Sequence, residues 1–217
     1  MNKINPTKLK IIEVAKVLFA NNGFEGTSVR DIAKAADVNL AAINYHFNNK
    51  ANLYLEVFKQ NCEELRCNLE EIYNTTKTTQ EFAWKMFETF IENGDSLMNS
   101  FKMMLTNSEE IKAAAALSTD DDDSCGPPGQ DFLIQSIIRD VGDDVCPVSM
   151  RLAVACIFTH VVHTAVMTSS GFMQQRFKKF SDLPDSFYQA KVTFLVESVL
   201  NQLKNNPDQF KDIEWPS

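Results

Sequence analysis

At 217 residues the chain is long enough for one compact unit, or for a small head on a larger body. Apolar residues make up 44% and charged residues 23%, a globular mix, and no run approaches twenty apolar residues; neither a membrane span nor a signal peptide is expected, and the expected location is the cytoplasm. The net charge of −8 is unevenly spread: residues 1–50 carry seven basic side chains against four acidic, and the remainder carries 14 against 25. A basic head on an acidic body suits a protein whose head meets a polyanion.

Thr7 to Asn22 is a first helix, with Leu9, Ile12, Ala15, Val17, Leu18 and Phe19 on its inner face and Asn22-Gly23 as its stop. Ser28 is an N-cap with Asp31 in the first turn behind it, and Val29, Ile32, Ala33 and Ala36 give that second helix an apolar face. Asp37 and Val38 fill a turn. Asn39 caps a third helix, Leu40 to His46, whose Ile43 and Phe47 bury against the second. Two short helices around a tight turn, the second with an exposed start, form a helix-turn-helix, which sets its second helix in the major groove. Asn49 then caps a long helix from Lys50 to about Thr75.

Helices are also expected over Thr79 to Asn93 and Leu97 to Thr106, with a break near Asn93-Gly94-Asp95. Another starts at Ser108 and runs through the alanines at 113–116. Residues 118–130, STDDDDSCGPPGQ, read as a flexible loop, and Asp131 to Val141 as the next helix. Two long apolar helices close the chain, Val148 to Ser170 and Asp185 to Asn205. No strand-like alternation appears, so the fold class is all-α, with a DNA-binding domain over 1–49 and a helical regulatory and dimerisation domain over 50–217.

The run GFEGTSVRDIAKAADVNLAAINYHFNNKANLY resembles the N-terminal DNA-binding domain of TetR-family regulators. Gly23, Phe24, Thr27, Ser28, Ile32, Ala33, Val38, Ile43, His46, Phe47, Lys50 and Leu53 carry the likeness. Asp37 stands where the family usually has glycine, and Asn44 where tyrosine is commonest. The resemblance implies a three-helix head followed by a larger helical body that binds ligand and dimerises. It also implies that Thr27, Ser28 and Lys50 contact phosphate. Arg30, Asn39, Leu40, Ala41, Asn44, Tyr45 and His46 lie on the outward side of the motif and are candidates for base edges or backbone. Ser28 and Asn39 equally serve as plain caps, and Tyr45 and His46 as packing.

In the body, Met86, Phe90, Phe101, Met104, His160, His163, Thr164 and Met167 are soft, aromatic or isolated polar residues suited to an adaptable ligand cavity. Met and Phe at helical spacing also suit an ordinary core. Phe158, Val162, Phe187, Phe194, Leu195 and Val199 of the two last helices are the expected dimer interface, pairing as a four-helix bundle. No catalytic motif, cofactor site or metal site is expected: His160 and His163 lack a third ligand nearby in sequence, and the aspartates at 120–123 lack Ca²⁺-loop spacing. The expected function is a homodimeric repressor released from a near-palindromic double-stranded operator by a small-molecule effector. An activator or orphan DNA-binding protein without a ligand is one alternative. A metal or redox sensor using Cys125, Cys146, Cys156 and the two histidines is another.

Overall fold

The structure, a computed structural model, describes residues 5–106, 108–117, 128–176 and 183–213. They form helices α1 (Pro6–Asn22), α2 (Val29–Ala35), α3 (Leu40–Phe47), α4 (Lys50–Thr75), α5 (Thr79–Glu92), α6 (Gly94–Met104), α7 (Glu109–Leu117), α8 (Gln130–Val141), α9 (Pro147–Ser169), α10 (Gly171–Arg176) and α11 (Asp185–Asn205). No strand occurs among the described residues, in agreement with the all-α expectation. The aspartate run at 120–123 and Cys125 lie outside the described residues.

The chain divides into two compact units, one drawn from Met1–Glu64 and Asn99–Asp123, the other from Leu65–Met98 and Ser124–Ser217. The expected boundary at residue 49 therefore falls inside the first unit. That unit recruits the first half of α4, the end of α6 and α7 to the three-helix head. Its core joins Ile11, Ala15, Ile32, Ile43, Phe47 and Leu53, with Met103 buried among them and Ile111 and Ala114 of α7 packed against it. Tyr54 is the polar tie: its hydroxyl donates to the Met103 carbonyl at 3.3 Å and shares a hydrogen bond with Thr106 Oγ1 at 2.8 Å. Leu9 and Val17, expected inside, are exposed on α1.

The second unit is built on α5, whose Phe82, Ala83, Met86, Phe87 and Phe90 are buried and which packs on α8, α9 and α11. Thr78 caps its start, and Asp140 of α8 accepts the Thr79 amide at 2.7 Å. α9 is long and apolar enough to cross a membrane by composition, with a mean hydropathy of 1.6 over its most apolar stretch. α5, α8 and α11 pack against it and bury 44% of that stretch, leaving Leu152, Cys156 and Met167 exposed. The expected break falls at Asn93, the C-cap of α5, and Gly94 opens the next helix as a close-packing residue. A Cβ there would stand 2.7 Å from Ser169 Oγ, so α6 begins at Gly94 against α9 and not at Leu97.

Candidate nucleic-acid interface

The turn between α2 and α3 explains how Asp37 replaces a glycine. α2 ends in a Schellman motif: the Asp37 amide bonds to the Lys34 carbonyl at 3.2 Å and the Val38 amide to the Ala33 carbonyl at 3.0 Å. Asp37 takes the left-handed position this motif demands, with φ of 50°. Val38 then folds onto the head core.

The start of α2 is a full capping box. Ser28 Oγ accepts the Asp31 amide at 3.1 Å and donates to Asp31 Oδ2 at 2.6 Å, while the Ser28 amide reaches the same oxygen at 3.3 Å. The Ser28 hydroxyl and amide together hold the Asp31 carboxyl below its ordinary value. Asn39 caps α3 by accepting the Ala41 amide at 2.9 Å.

With Ile43 and Phe47 buried, α3 exposes Asn39, Ala41, Asn44 and Tyr45, the last 84% exposed. Arg30 is exposed on α2, and His46 is half-buried beside Tyr45, with 5.1 Å between ring centroids. An α-helix displaying a short polar and aromatic face on a packed support has the dimensions to enter a major groove. Lys34, in the last turn of α2, and Asn48, at φ of 68° just past α3, are also exposed. The sequence reading missed them because neither belongs to the motif's outward pattern. Two other lysines of the head are neutralised from α4, Lys8 by Glu56 at 2.6 Å and Lys16 by Glu64 at 2.7 Å.

Two of the expected contacts, Thr27 and Leu40, need correction, and Lys50 gains a second role. Thr27 is 2% exposed, and its hydroxyl points inward to the Gly23 and Leu18 carbonyls at 2.8 and 3.2 Å. It locks the loop after α1 and does not offer its side chain to phosphate. Leu40 is partly buried against the head core, so the first residue of α3 supports the helix more than it reads bases. Lys50 is held from below, its Nζ 3.0 Å from the Phe24 carbonyl and 3.9 Å from the Phe24 ring centroid. That leaves it donors for an anion but gives it a structural role the sequence did not reveal.

The body residues divide in the same way. Met86, Phe90 and Thr164 are buried and His160 is half-buried. Met104, His163 and Met167 are exposed, which corrects their assignment to an enclosed lining, and Phe101 and Met104 belong to the head's unit. Phe158 and Val162 are already buried by their own chain, which corrects their assignment to a dimer interface. Phe187 and Phe194 are exposed as that interface requires, and Leu195 and Val199 are half-buried. Val199 lines an open, mostly apolar groove of about 220 Å³ in the body with Leu152, Ala153 and Cys156 of α9. A second groove, of about 820 Å³, lies in the head's unit, where Asn52, Leu55 and Glu56 of α4 face Glu110, Ala113 and Leu117 of α7.

Among the described residues no three His, Cys, Asp or Glu side chains come together as a metal site. Cys146 is the α9 N-cap; hydrogen bonds, first from the Ser149 hydroxyl, hold its thiol below the ordinary value.

The family model for bacterial regulatory proteins of the tetR family matches residues 11–57, the stretch that builds α1 to the first turns of α4. A relative in Bacillus subtilis, the probable HTH-type transcriptional regulator YttP, is 47% identical over 77 residues, which is 35% of this chain and 37% of that protein. The chain thus matches little more than a third of that relative's length. Solved structures extend the likeness in fold to the body. A TetR-family transcription regulator of Marinobacter aquaeolei superposes with a TM-score of 0.59 at 18% identity, covering 88% of this chain and 94% of that one. The transcriptional regulator FadR of Bacillus subtilis, in complex with stearoyl-CoA, gives 0.56 at 18% identity, covering 90% and 96%. The capped helix-turn-helix within residues 11–57 thus matches the DNA-binding domain of bacterial regulatory proteins of the tetR family, and the chain as a whole has the fold of TetR-family regulators.

Proposed function

We propose that this protein is a DNA-binding transcriptional regulator, acting as a homodimeric repressor that a small-molecule effector releases from a near-palindromic operator. The observation that carries the reading is the exposed face of α3, where Asn39, Ala41, Asn44 and Tyr45 stand out from a helix anchored by buried Ile43 and Phe47. Asn44 offers the amide pair that reads adenine, Ala41 an apolar contact for a thymine methyl, and Tyr45 a ring and hydroxyl for the sugar-phosphate chain. Arg30, Lys34 and Lys50 supply positive charge beside them. One such head reads only a few base pairs, so useful affinity calls for two heads and an inverted repeat. Effector control rests on the body. α4 runs unbroken from Lys50 to Thr75, so a change in the body has a covalent route to the head, and an effector that favours one head spacing weakens DNA binding by its differential affinity. The solved structure of a related fold with stearoyl-CoA bound supports a ligand-binding body.

Selection from a random duplex library tests this. Purified protein should enrich an inverted repeat, and Asn44→Ala and Tyr45→Ala should each weaken binding to it while leaving the fold intact by circular dichroism. Enrichment no better than with unselected DNA overturns the reading.

A further inference from the structure

In the body, Lys191 of α11 meets α9 without meeting an acid. Its Nζ donates to Thr164 Oγ1 at 3.1 Å, and among the described residues no aspartate or glutamate pairs with it. Thr164 is buried, at 5% exposure, and its hydroxyl, having accepted from Lys191, still has a proton to give. One turn earlier on the same face of α9 sits His160, whose Nε2 is shielded from solvent and has no hydrogen-bond partner. Burial, then Lys191, then His163 hold the His160 imidazole below its ordinary value. An ammonium taken partly out of water against one neutral hydroxyl, beside an orphaned ring nitrogen, is costly unless something negative completes it.

The surroundings of this cluster are apolar. One turn before Lys191 on α11, Tyr188 is buried and stacks on Phe87 at 5.6 Å between centroids, and Phe87 stacks on Trp84 at 5.4 Å. On α9, Ile157, Val161 and Ala165 are fully buried around His160 and Thr164. An ammonium and a hydroxyl in contact, with an unpartnered ring nitrogen one turn away on α9 and an aromatic stack on the neighbouring turn of α11, fit one ligand chemistry: an oxyanion carried on an apolar body.

We propose that Lys191, Thr164 and His160 form an anion-recognition site in the body, and that the effector is an amphipathic organic carboxylate. Its carboxylate accepts from Lys191 Nζ, Thr164 Oγ1 and His160 Nε2. The proposal rests on the effector-responsive reading above and names the ligand class that reading leaves open.

Thermal unfolding of the full chain with octanoate, octanol and octylammonium, which share a tail and differ in head-group charge, provides the test. Octanoate should raise the melting temperature, and octanol and octylammonium should not. Lys191→Met should weaken octanoate binding by about tenfold or more, as loss of a charge-assisted hydrogen bond implies, while Lys191→Arg keeps it. An equal shift with octanol, an equal shift with inorganic phosphate, or an undiminished octanoate shift in a folded Lys191→Met protein each overturns the site. Operator binding by ligand-free protein is measured in parallel. If DNA binding is intact and octanoate has no effect, the anion site fails alone; if no operator is bound, the regulator reading fails.

Discussion

Asp37 bears a conformation that most L-residues resist, and the helix-turn-helix depends on it. Its φ of 50° closes the Schellman motif that turns α2 into α3, at a cost that glycine avoids. Asp37→Gly is expected to raise stability by up to about 1 kcal/mol, the relief being partly offset by the freer unfolded chain, and Asp37→Val to lower it by at least as much. Denaturant midpoints for the two variants check this, and equal midpoints would show that the turn does not strain residue 37. Lys50 combines two tasks that one substitution can separate. Its ammonium sits on the Phe24 carbonyl and ring, yet retains donors for phosphate. Lys50→Ala should lower the melting temperature, weaken specific and random DNA alike, and reduce the salt slope by about one. Lys50→Met, which keeps the stem over Phe24, should recover part of the thermal loss but none of the salt slope. A salt slope unchanged in both variants would make Lys50 purely structural.

At the scale of helices, the ends were legible wherever a cap sits in the sequence. Ser28 and Asn39 each accept an amide of the helix they open, and Gly142 ends α8 with φ of 86°. The failures share a cause: they depend on how side chains pack in the folded unit and not on a local pattern. Thr27 pairs inward with carbonyls of α1 and its loop, and the close approach of Gly94 at the start of α6 is seen only with Ser169, 75 positions later, beside it. The attachment of α7 to the head core through Ile111 and Ala114 had no local signal at all. Gly94→Ala measures one such contact. Its new methyl would stand 2.7 and 2.8 Å from the Ser169 side chain, so a loss of about 1–3 kcal/mol is expected from overpacking. Ser169→Gly should restore most of it. If Gly94→Ala is neutral by thermal unfolding, α6 and α9 have room that the close approach denies.

For the whole molecule, the exposed apolar surface of the body is the feature still without a partner. Phe194 is 75% exposed and Phe187 47% exposed on α11, with exposed Ala190 between them at helical spacing. Leu152, Cys156 and Met167 mark an exposed line along α9. Monomeric proteins seldom leave such rows in water, whereas a two-fold axis lets a helix pair cover its own copy. The sequence reading expected the interface on these two helices, but a helix apolar nearly all round does not reveal which side its own chain buries, and its α9 residues Phe158 and Val162 proved to be inside. Phe187→Asp combined with Phe194→Asp therefore tests the dimer without disturbing the body's core, since neither side chain is buried. The expected product is a folded monomer by light scattering, with little change in the circular dichroism spectrum. Two heads on one body act as a bivalent ligand, so the monomer should bind the full inverted repeat about 10²–10⁴-fold more weakly while its affinity for a single half-site stays near the original value. Should the doubly charged variant remain a dimer and keep its affinity for the inverted repeat, the two-fold axis does not pass through this face of α11.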